Sequence, residues 1–300
     1  MRKRILFIIL FFALFAPDSA NGQIINHGPK ESLYSDTLEA THYSIFITDI
    51  NTTSKSIKGY TIASLVSHVS TLTKIKLQLI ALTVDSVCIG KRKVNYNHHE
   101  DELEIALNQS LYKEDSVEAT VYYHGSPFID PSGWGGFHFS GDYAFNMGVG
   151  FNSIPHNLGK AWFACIDDFR DRAYYDVFIT VPSNHKAISG GLLVEKKENM
   201  NRTTTWHWKT YYTLPTYLIS VTTGEYENIN DTYRGVERII PITLFCLPRD
   251  IAKVEGTFIN LKKLLRIYED HFGPYPFERV GFTATAQGAM EHASNISYPY

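Results

Sequence analysis

Apolar and polar residues alternate with a period of two over most of the first two thirds of the chain, from Ala40 to about Val181. Tyr43, Ile45 and Ile47, for example, alternate with Ser44 and Thr48 around Phe46. This alternation is typical of half-buried strands, and polar turns at 51–54 and 97–101 separate the runs, so an antiparallel sandwich or open barrel is predicted. The further strands are expected at 69–87, 102–107, 117–123, 174–181, 203–208, 217–221 and 239–244.

Residues 125–151 have a different composition. Seven glycines are mixed there with Trp134, several Phe residues and Tyr143, and the stretch is too long for a simple hairpin loop. It is either a surface loop packed by its own aromatic rings or a binding loop carried by the sheet, and the sequence leaves both open.

The period changes after Pro248. Apolar residues then recur at steps of three and four from Ile251 to Phe272, which predicts one amphipathic helix. Asp250 is expected to cap its start, and Gly273-Pro274 to end it. A strand at 280–285 follows, so we predict a β domain over residues 23–247 and the incomplete start of a second domain over 248–300.

Residues 1–22 resemble an export signal. Arg2, Lys3 and Arg4 precede an apolar run of twelve residues, Ile5 to Ala16, and small residues follow, with cleavage expected before Gln23. The alternative is an uncleaved anchor, although the run is short for a membrane span. We therefore expect an exported protein, whether periplasmic, secreted or held at the cell surface.

Charge and cysteine content exclude other classes. The net charge of the 300 residues is −3 and no basic stripe is present to neutralise phosphates, so a nucleic-acid partner is not expected. The three cysteines, Cys88, Cys165 and Cys246, are isolated from one another and are predicted to be buried apolar residues rather than disulfide or metal ligands.

The last residues, 287–300, contain Gly288-Ala289-Met290-Glu291, which resembles the exopeptidase signature of the aminopeptidase N family of zinc metallopeptidases. Three more stretches resemble family segments in the same order: 122–125, 162–173 and 216–221. Phe272 to Phe277, before the 280–285 strand, also resembles the start of the family's catalytic domain. Together these stretches cover roughly residues 40–300.

This resemblance implies a mainly β fold, with a saddle-like antiparallel β-sandwich followed by the start of a thermolysin-like α/β domain. It implies a substrate-binding segment of Gly288, Ala289, Met290, Glu291 and His292, in which Glu291 binds the free amine of a peptide and Gly288 and Ala289 offer backbone. His292 stands where the family has Asn, and its charge is expected to vary near neutral pH. Ala164 replaces the usual Pro.

The resemblance also implies a zinc cofactor whose ligands are not recognisable in this chain. The family's His-Glu-x-x-His helix would follow Tyr300, and His98 and His99 lie in a sequence typical of a solvated loop. No catalytic residue and no metal ligand is therefore expected here. Asn152 or Ser153 is a candidate for a further substrate contact.

Three functions are compatible with these features. The first is the N-terminal part of an exported zinc aminopeptidase that acts on peptides with a free N-terminus. The second is a non-catalytic β-sandwich that binds peptide or glycan through residues 125–151. The third is a scaffold that kept the fold without the metal site.

Overall fold

The computed structural model describes residues 36–300, and the predicted signal segment lies outside them. The described chain is mainly β, as the sequence predicts, and contains two short α-helices. Its largest element is an eight-stranded sheet, here called the large sheet. In spatial order its strands are β13 (Leu192–Glu198), β14 (Thr203–Lys209), β11 (Tyr174–Pro182), β1 (Leu38–Asn51), β2 (Ser56–Ser67), β8 (Ser116–Gly125), β4 (Thr83–Ile89) and β5 (Arg92–Val94).

Two smaller sheets complete the β-sandwich region. The middle sheet contains β12 (Lys186–Ser189), β15 (Val221–Gly224), β10 (Tyr143–Met147) and β9 (Gly136–Ser140), in that order. The small sheet contains β3 (Leu72–Gln78), β7 (Glu102–Leu111) and β6 (Tyr96–His99). The predicted polar turn at 97–101 is thus mostly strand β6, and only Glu100 and Asp101 turn.

The alternation in β1 reaches the core as predicted. Tyr43, Ile45 and Ile47 are at most 1% exposed, and a bulge between Ala40 and His42 keeps Leu38 and Ala40 on the same buried side. The Tyr43 ring packs against Phe163 and Tyr175, which joins β1 to the 162–173 segment and to β11. The main core therefore lies between the large sheet and the other elements of the sandwich.

The fourth sheet, the terminal sheet, contains β16 (Glu227–Arg234), β17 (Ile239–Cys246), β18 (Val280–Thr285) and β19 (Ile296–Pro299). The three strands from β17 to β19 are parallel. This sheet crosses residue 247, the predicted boundary, because β17 pairs with β18. A second apolar core, which includes Ile240, Ile242, Val254 and Leu265, forms beneath it.

The predicted single helix consists of α1 (Ile251–Thr257) and α2 (Leu261–Phe272), which a turn at 258–260 separates. Asp250 makes no side-chain capping hydrogen bond, because its carboxylate accepts from Lys253 Nζ at 2.7 Å instead. Gly273 ends α2 as predicted, with a φ of +91° that favours glycine.

Candidate amine-binding site

Residues 288–291 lie along β19 at the edge of the terminal sheet. Met290 and Ser297 exchange both backbone hydrogen bonds, at 3.2 and 2.9 Å, in an antiparallel bridge. Met290 is buried, whereas its neighbours Ala289 and Glu291 are exposed. The segment is a single bridge rather than a full strand, and it presents one carboxylate to solvent.

Position 288 requires glycine, because the Trp134 ring lies close to its backbone. Its φ of +118° is rare for other residues, and a Cβ atom here would lie 2.8 Å from Cη2 of Trp134. Gln287 Nε2 donates to the Gly133 carbonyl at 2.7 Å beside this contact. The indole ring from the 125–151 segment therefore rests directly on the first residue of the motif.

His292 is buried and lies behind the exposed carboxylate. It is 1% exposed, and burial lowers its pKa to about 3. Asn146 Nδ2 lies 3.4 Å from its Nε2, and Ser297 Oγ lies 3.3 Å from its Nδ1. The ring is therefore neutral at pH 7, which differs from the expected variable charge because the sequence does not show how deeply the side chain is buried.

Hydrogen bonds from β10, from the residues before β15 and from β18 hold the turn after His292. Asn146 accepts from Val221 N at 2.6 Å and donates to the Ile219 carbonyl at 2.9 Å while it contacts His292. Asn295 donates to Ser220 Oγ at 3.1 Å and accepts from Thr283 Oγ1 at 2.9 Å. Buried polar groups satisfied in this way fix the position of the exposed Glu291.

Arg279, the residue before β18, binds the backbone of the β-sandwich region. It is 3% exposed, donates to the Ser189 and Gly191 carbonyls at 2.7 and 3.0 Å, and lies 4.7 Å above the Trp208 ring. Burial lowers its pKa to about 10, so the guanidinium remains charged at pH 7. The strand that leads to the motif is thus anchored by a buried cation.

The 125–151 segment is not one long loop, because it contains β9 and β10. Before β9, the carboxylate of Asp130 is 1% exposed and accepts from the backbone N–H groups and hydroxyls of both Ser132 and Ser153, and from Asn152 N. Burial would raise the pKa of Asp130, but these hydrogen bonds outweigh it and place the pKa well below its usual range. Asp130 therefore ties the turn at 130–135 to the one at 150–153.

Of the candidate contacts before Trp162, the Ser153 hydroxyl is engaged by Asp130, whereas Asn152 is exposed. Residues 162–166 are fully buried, so Ala164 packs in the core.

The sequence did not identify Asp130, Trp134 and Phe151 as individual site residues. The concentration of glycine and aromatic residues indicated only the segment, 125–151, in which they lie.

The three cysteines are free thiols. Cys165 and Cys246 are buried, and Cys88 is partly buried.

Within residues 36–300, no group of three or more His, Cys, Asp or Glu could hold a metal ion. His98 lies on β6, and its Nε2 donates to the Leu79 carbonyl at 2.7 Å. The described residues therefore do not fit a zinc ion.

The fold resembles solved zinc peptidases. An M1 zinc metallopeptidase from Deinococcus radiodurans matches with a TM-score of 0.77 and 22% identity over 89% of this chain and 63% of its own. Aminopeptidase A of Legionella pneumophila matches with a TM-score of 0.75 and 16% identity over 90% of this chain and 31% of its own. This chain thus spans under two thirds of either structure.

Sequence comparison finds a different class of protein. Transcription initiation factor TFIID subunit 2 of Danio rerio is 22% identical over an alignment of 270 residues that covers 77% of this chain. The subunit of the same name from Drosophila melanogaster is 27% identical over 129 residues. The chain spans about a fifth of the length of the Danio rerio relative, 22%.

No protein-family model matches the sequence. The structural neighbours nevertheless confirm, at the level of the fold, the resemblance and the mainly β fold class predicted for roughly residues 40–300. The chain has the mainly β fold of the N-terminal part of M1 zinc metallopeptidases.

Proposed function

We propose that this chain is the N-terminal portion of an exported zinc-dependent aminopeptidase and that it recognises the free amino end of a peptide. The observation that carries the proposal is the exposed Glu291 carboxylate at the edge of the terminal sheet, on a segment held by Met290 and His292. A carboxylate in this position accepts charge-assisted hydrogen bonds from an α-ammonium group.

The backbone beside Glu291 suits the rest of the substrate. Ala289 is exposed, and the segment pairs with β19 through Met290. An extended peptide can add to such a sheet edge through main-chain hydrogen bonds. The proposed arrangement therefore holds the amine at Glu291 and the peptide along residues 288–290.

Zinc supplies an activated water in metallopeptidases. Since the described residues do not fit the metal, we derive no catalytic step from them. We expect the 300-residue chain by itself to retain no zinc after dialysis and to release no product from an aminoacyl anilide. Stoichiometric zinc by metal analysis, or turnover that a chelator abolishes, would contradict this expectation.

Export rests on the order of basic, apolar and small residues in 1–22. N-terminal mass analysis of the protein from its native source is expected to give a chain that begins at Gln23. Cytosolic protein that retains Met1 would contradict export. No helix among residues 36–300 is long and apolar enough to cross a membrane.

Amine recognition is tested by ligand-observed NMR with L-leucinamide and N-acetyl-L-leucinamide. We expect only the free amine to bind, and we expect Glu291→Gln to weaken its binding by about 1–3 kcal/mol, roughly five- to 150-fold, because a charged acceptor becomes neutral. Glu255→Gln on α1, also an exposed glutamate, is the matched control and should leave binding unchanged. Equal binding of both ligands would show that Glu291 is a solvated residue at the sheet edge and does not recognise the amine.

The second candidate is a non-catalytic peptide- or glycan-binding module or scaffold. It is supported by the sequence relatives, which are named as subunits of a transcription initiation factor rather than as peptidases. Such a module has no need to distinguish a free amine from an acetylated one, so the same NMR comparison separates the two candidates.

A further inference from the structure

A row of stacked aromatic rings crosses the outer face of the large sheet, the face opposite the main core. Side chains alternate along β1, so Phe46 points away from the core in which Ile45 and Ile47 are buried. Its ring centroid lies 4.3 Å from that of Phe178 on β11 and 4.4 Å from that of Tyr60 on β2. We call this row the aromatic ladder, and it consists of His207, Phe178, Phe46, Tyr60 and Tyr122.

The ladder is continuous over five adjacent strands, β14, β11, β1, β2 and β8. Each of its residues is the register partner of the next one on the neighbouring strand. Consecutive ring centroids lie 4.0–5.1 Å apart, and the planes of the first three ring pairs are within 16° of parallel. Because adjacent strands lie about 4.8 Å apart, five of them carry a row roughly 19 Å long.

Stacking determines which part of each ring meets solvent. The faces of neighbouring rings cover one another, so Phe46, Phe178 and Tyr60 are only partly exposed although they point away from the core. Tyr122, at the end of the row, is 39% exposed. The ring edges therefore form the accessible surface of the ladder. An aromatic edge carries partial positive charge, whereas an aromatic face carries partial negative charge.

The charged groups at the His207 end favour an anion over a cation. Asp176 is 7% exposed, and its carboxylate accepts hydrogen bonds from His42 Nε2 at 2.8 Å, from Lys209 Nζ at 3.3 Å and from His207 Nε2. Three donors thus share one buried carboxylate. The side chain of Lys209 is 40% exposed, so the charge that a ligand meets here is that of the ammonium group.

A planar aromatic molecule complements this surface. A ring system laid flat over the row presents its negative face to several positive edges at once, which is the edge-to-face arrangement that aromatic pairs prefer. An acidic substituent can then pair with Lys209. At the other end of the row, Asp85 lies 2.8 Å from Nδ1 of His124, so this carboxylate is also paired.

We propose that the aromatic ladder binds an elongated planar aromatic molecule that carries an acidic group, with the ring system across the strands and the acidic group at Lys209. The site lies on the outer face of the large sheet, and it goes beyond the proposed recognition of a free amine by Glu291. A rounded apolar body of the same charge touches fewer ring edges and should bind more weakly.

Three pyrene and adamantane probes test the shape and charge of the ligand on the 300-residue chain. Pyrene-1-carboxylate is planar, anionic and fluorescent. Adamantane-1-carboxylate has the same charge and a rounded body, and 1-pyrenemethylammonium has the same rings with a positive charge. In titrations followed by pyrene fluorescence, with the adamantane compound as competitor, we expect the planar anion to bind about tenfold more tightly than either of the others.

Variants locate the probe on the ladder. Phe46→Leu removes a ring and keeps an apolar side chain, and it should weaken the binding of pyrene-1-carboxylate about tenfold. Tyr122→Leu, at the exposed end, gives the same test should Phe46→Leu fail to fold. Phe272→Leu, which removes an 82% exposed ring on α2, is the matched control and should leave binding unchanged. Lys209→Met should weaken pyrene-1-carboxylate but not the uncharged 1-pyrenemethanol.

Four results would overturn the proposal. The first is no binding of pyrene-1-carboxylate, and the second is equally tight binding of adamantane-1-carboxylate, which would indicate a general hydrophobic surface. The third is a loss of binding in Phe272→Leu but not in the ladder variants, which would place the probe on α2. The fourth is a dimer in sedimentation that Tyr122→Leu dissociates, since a second copy of the chain would then occupy the face. The binding of L-leucinamide is measured separately and is unaffected by any of these results.

Discussion

The core under the large sheet and the apolar face of α2 bury their side chains to different extents. Ile45 and Leu77 in the first region are fully buried. On α2, Leu264 is 50% exposed, Tyr268 is 61% exposed and Phe272 is 82% exposed, although all three belong to the periodic apolar set that predicts the helix. Only Leu265 and Glu269 of that helix are buried.

An apolar groove of about 680 Å³ lies along this open face. It is lined by Leu264, Tyr268 and Phe272 from α2, by the turn 273–276, and by residues of β18 and β19. The comparison shows that apolar periodicity specifies which face of a helix turns inward, but not how completely its surroundings cover that face.

The largest contrast is expected between two identical substitutions. Leu77→Ala leaves a cavity in a close-packed core and should lower the free energy of unfolding by about 2–5 kcal/mol. Leu264→Ala removes a half-exposed side chain and should cost about 1 kcal/mol or less. Urea denaturation of both variants measures the difference, and equal losses would mean that the α2 face is covered in solution.

Glu269 is expected to be the main polar anchor of α2. It accepts hydrogen bonds from Tyr233 Oη, Tyr275 N and Val236 N at 2.7, 2.9 and 3.1 Å. Glu269→Gln weakens bonds to a buried charge and should cost about 1–3 kcal/mol in urea denaturation. The neighbouring exposed residue provides the control, because Asp270→Asn should change stability by less than about 0.5 kcal/mol.

The two regions should respond to pH with opposite sign. Burial raises the pKa of Asp171 to about 7, with Ala40 N as a hydrogen-bond donor that opposes the shift. Its stabilising contribution is therefore complete below about pH 4 and is lost as pH rises towards about 7. Burial would also raise the pKa of Glu269, but its hydrogen bonds outweigh burial and lower it, so its contribution is lost as pH falls below about 4.

Asp171→Asn isolates the first of these effects. The difference in unfolding free energy, wild type minus Asp171→Asn, should fall by about 1.4 kcal/mol per pH unit at most between about pH 4 and pH 7. Urea denaturation across this range measures the slope. A difference independent of pH would show that Asp171 is ionised in the folded protein throughout.

The smallest effect on stability is expected at the outer end of α2. Phe272→Ser removes an exposed ring and should change the unfolding free energy by less than about 0.5 kcal/mol. It should still reduce the binding of a hydrophobic dye, since the ring lines the groove. Unchanged dye binding would place the dye elsewhere on the protein.

The sequence predicted which segments form strands better than it predicted which strands pair with one another. The alternation in β1 and the strand at 280–285 agree with the structure, because both patterns are local. The parallel pairing of β1 with β11 places His42 opposite Tyr174, and no local pattern signals such a distant partner. The same limit explains why one predicted helix is two, and why β17 pairs with β18 across residue 247.

The same limit applies to the candidate site. The 288–291 motif was recognisable from four consecutive residues, whereas the placement of Trp134 on Gly288 depends on residues 154 positions apart along the chain. The neutral state of His292 follows from burial between Asn146 and Ser297, which is a tertiary property.

The contact between Gln287 and Gly133 also has an evolutionary consequence. The Glu291 carboxylate and the Trp134 and Phe151 rings lie on separate backbone segments. Each segment has its own hydrogen bonds, through Asn146 and His292 for the first and through Asp130 for the second. Substitutions in the turns at 130–135 and 150–154 can therefore accumulate without disturbing the hydrogen bonds that hold the segment of Glu291. Related sequences are therefore expected to keep the motif while these turns vary.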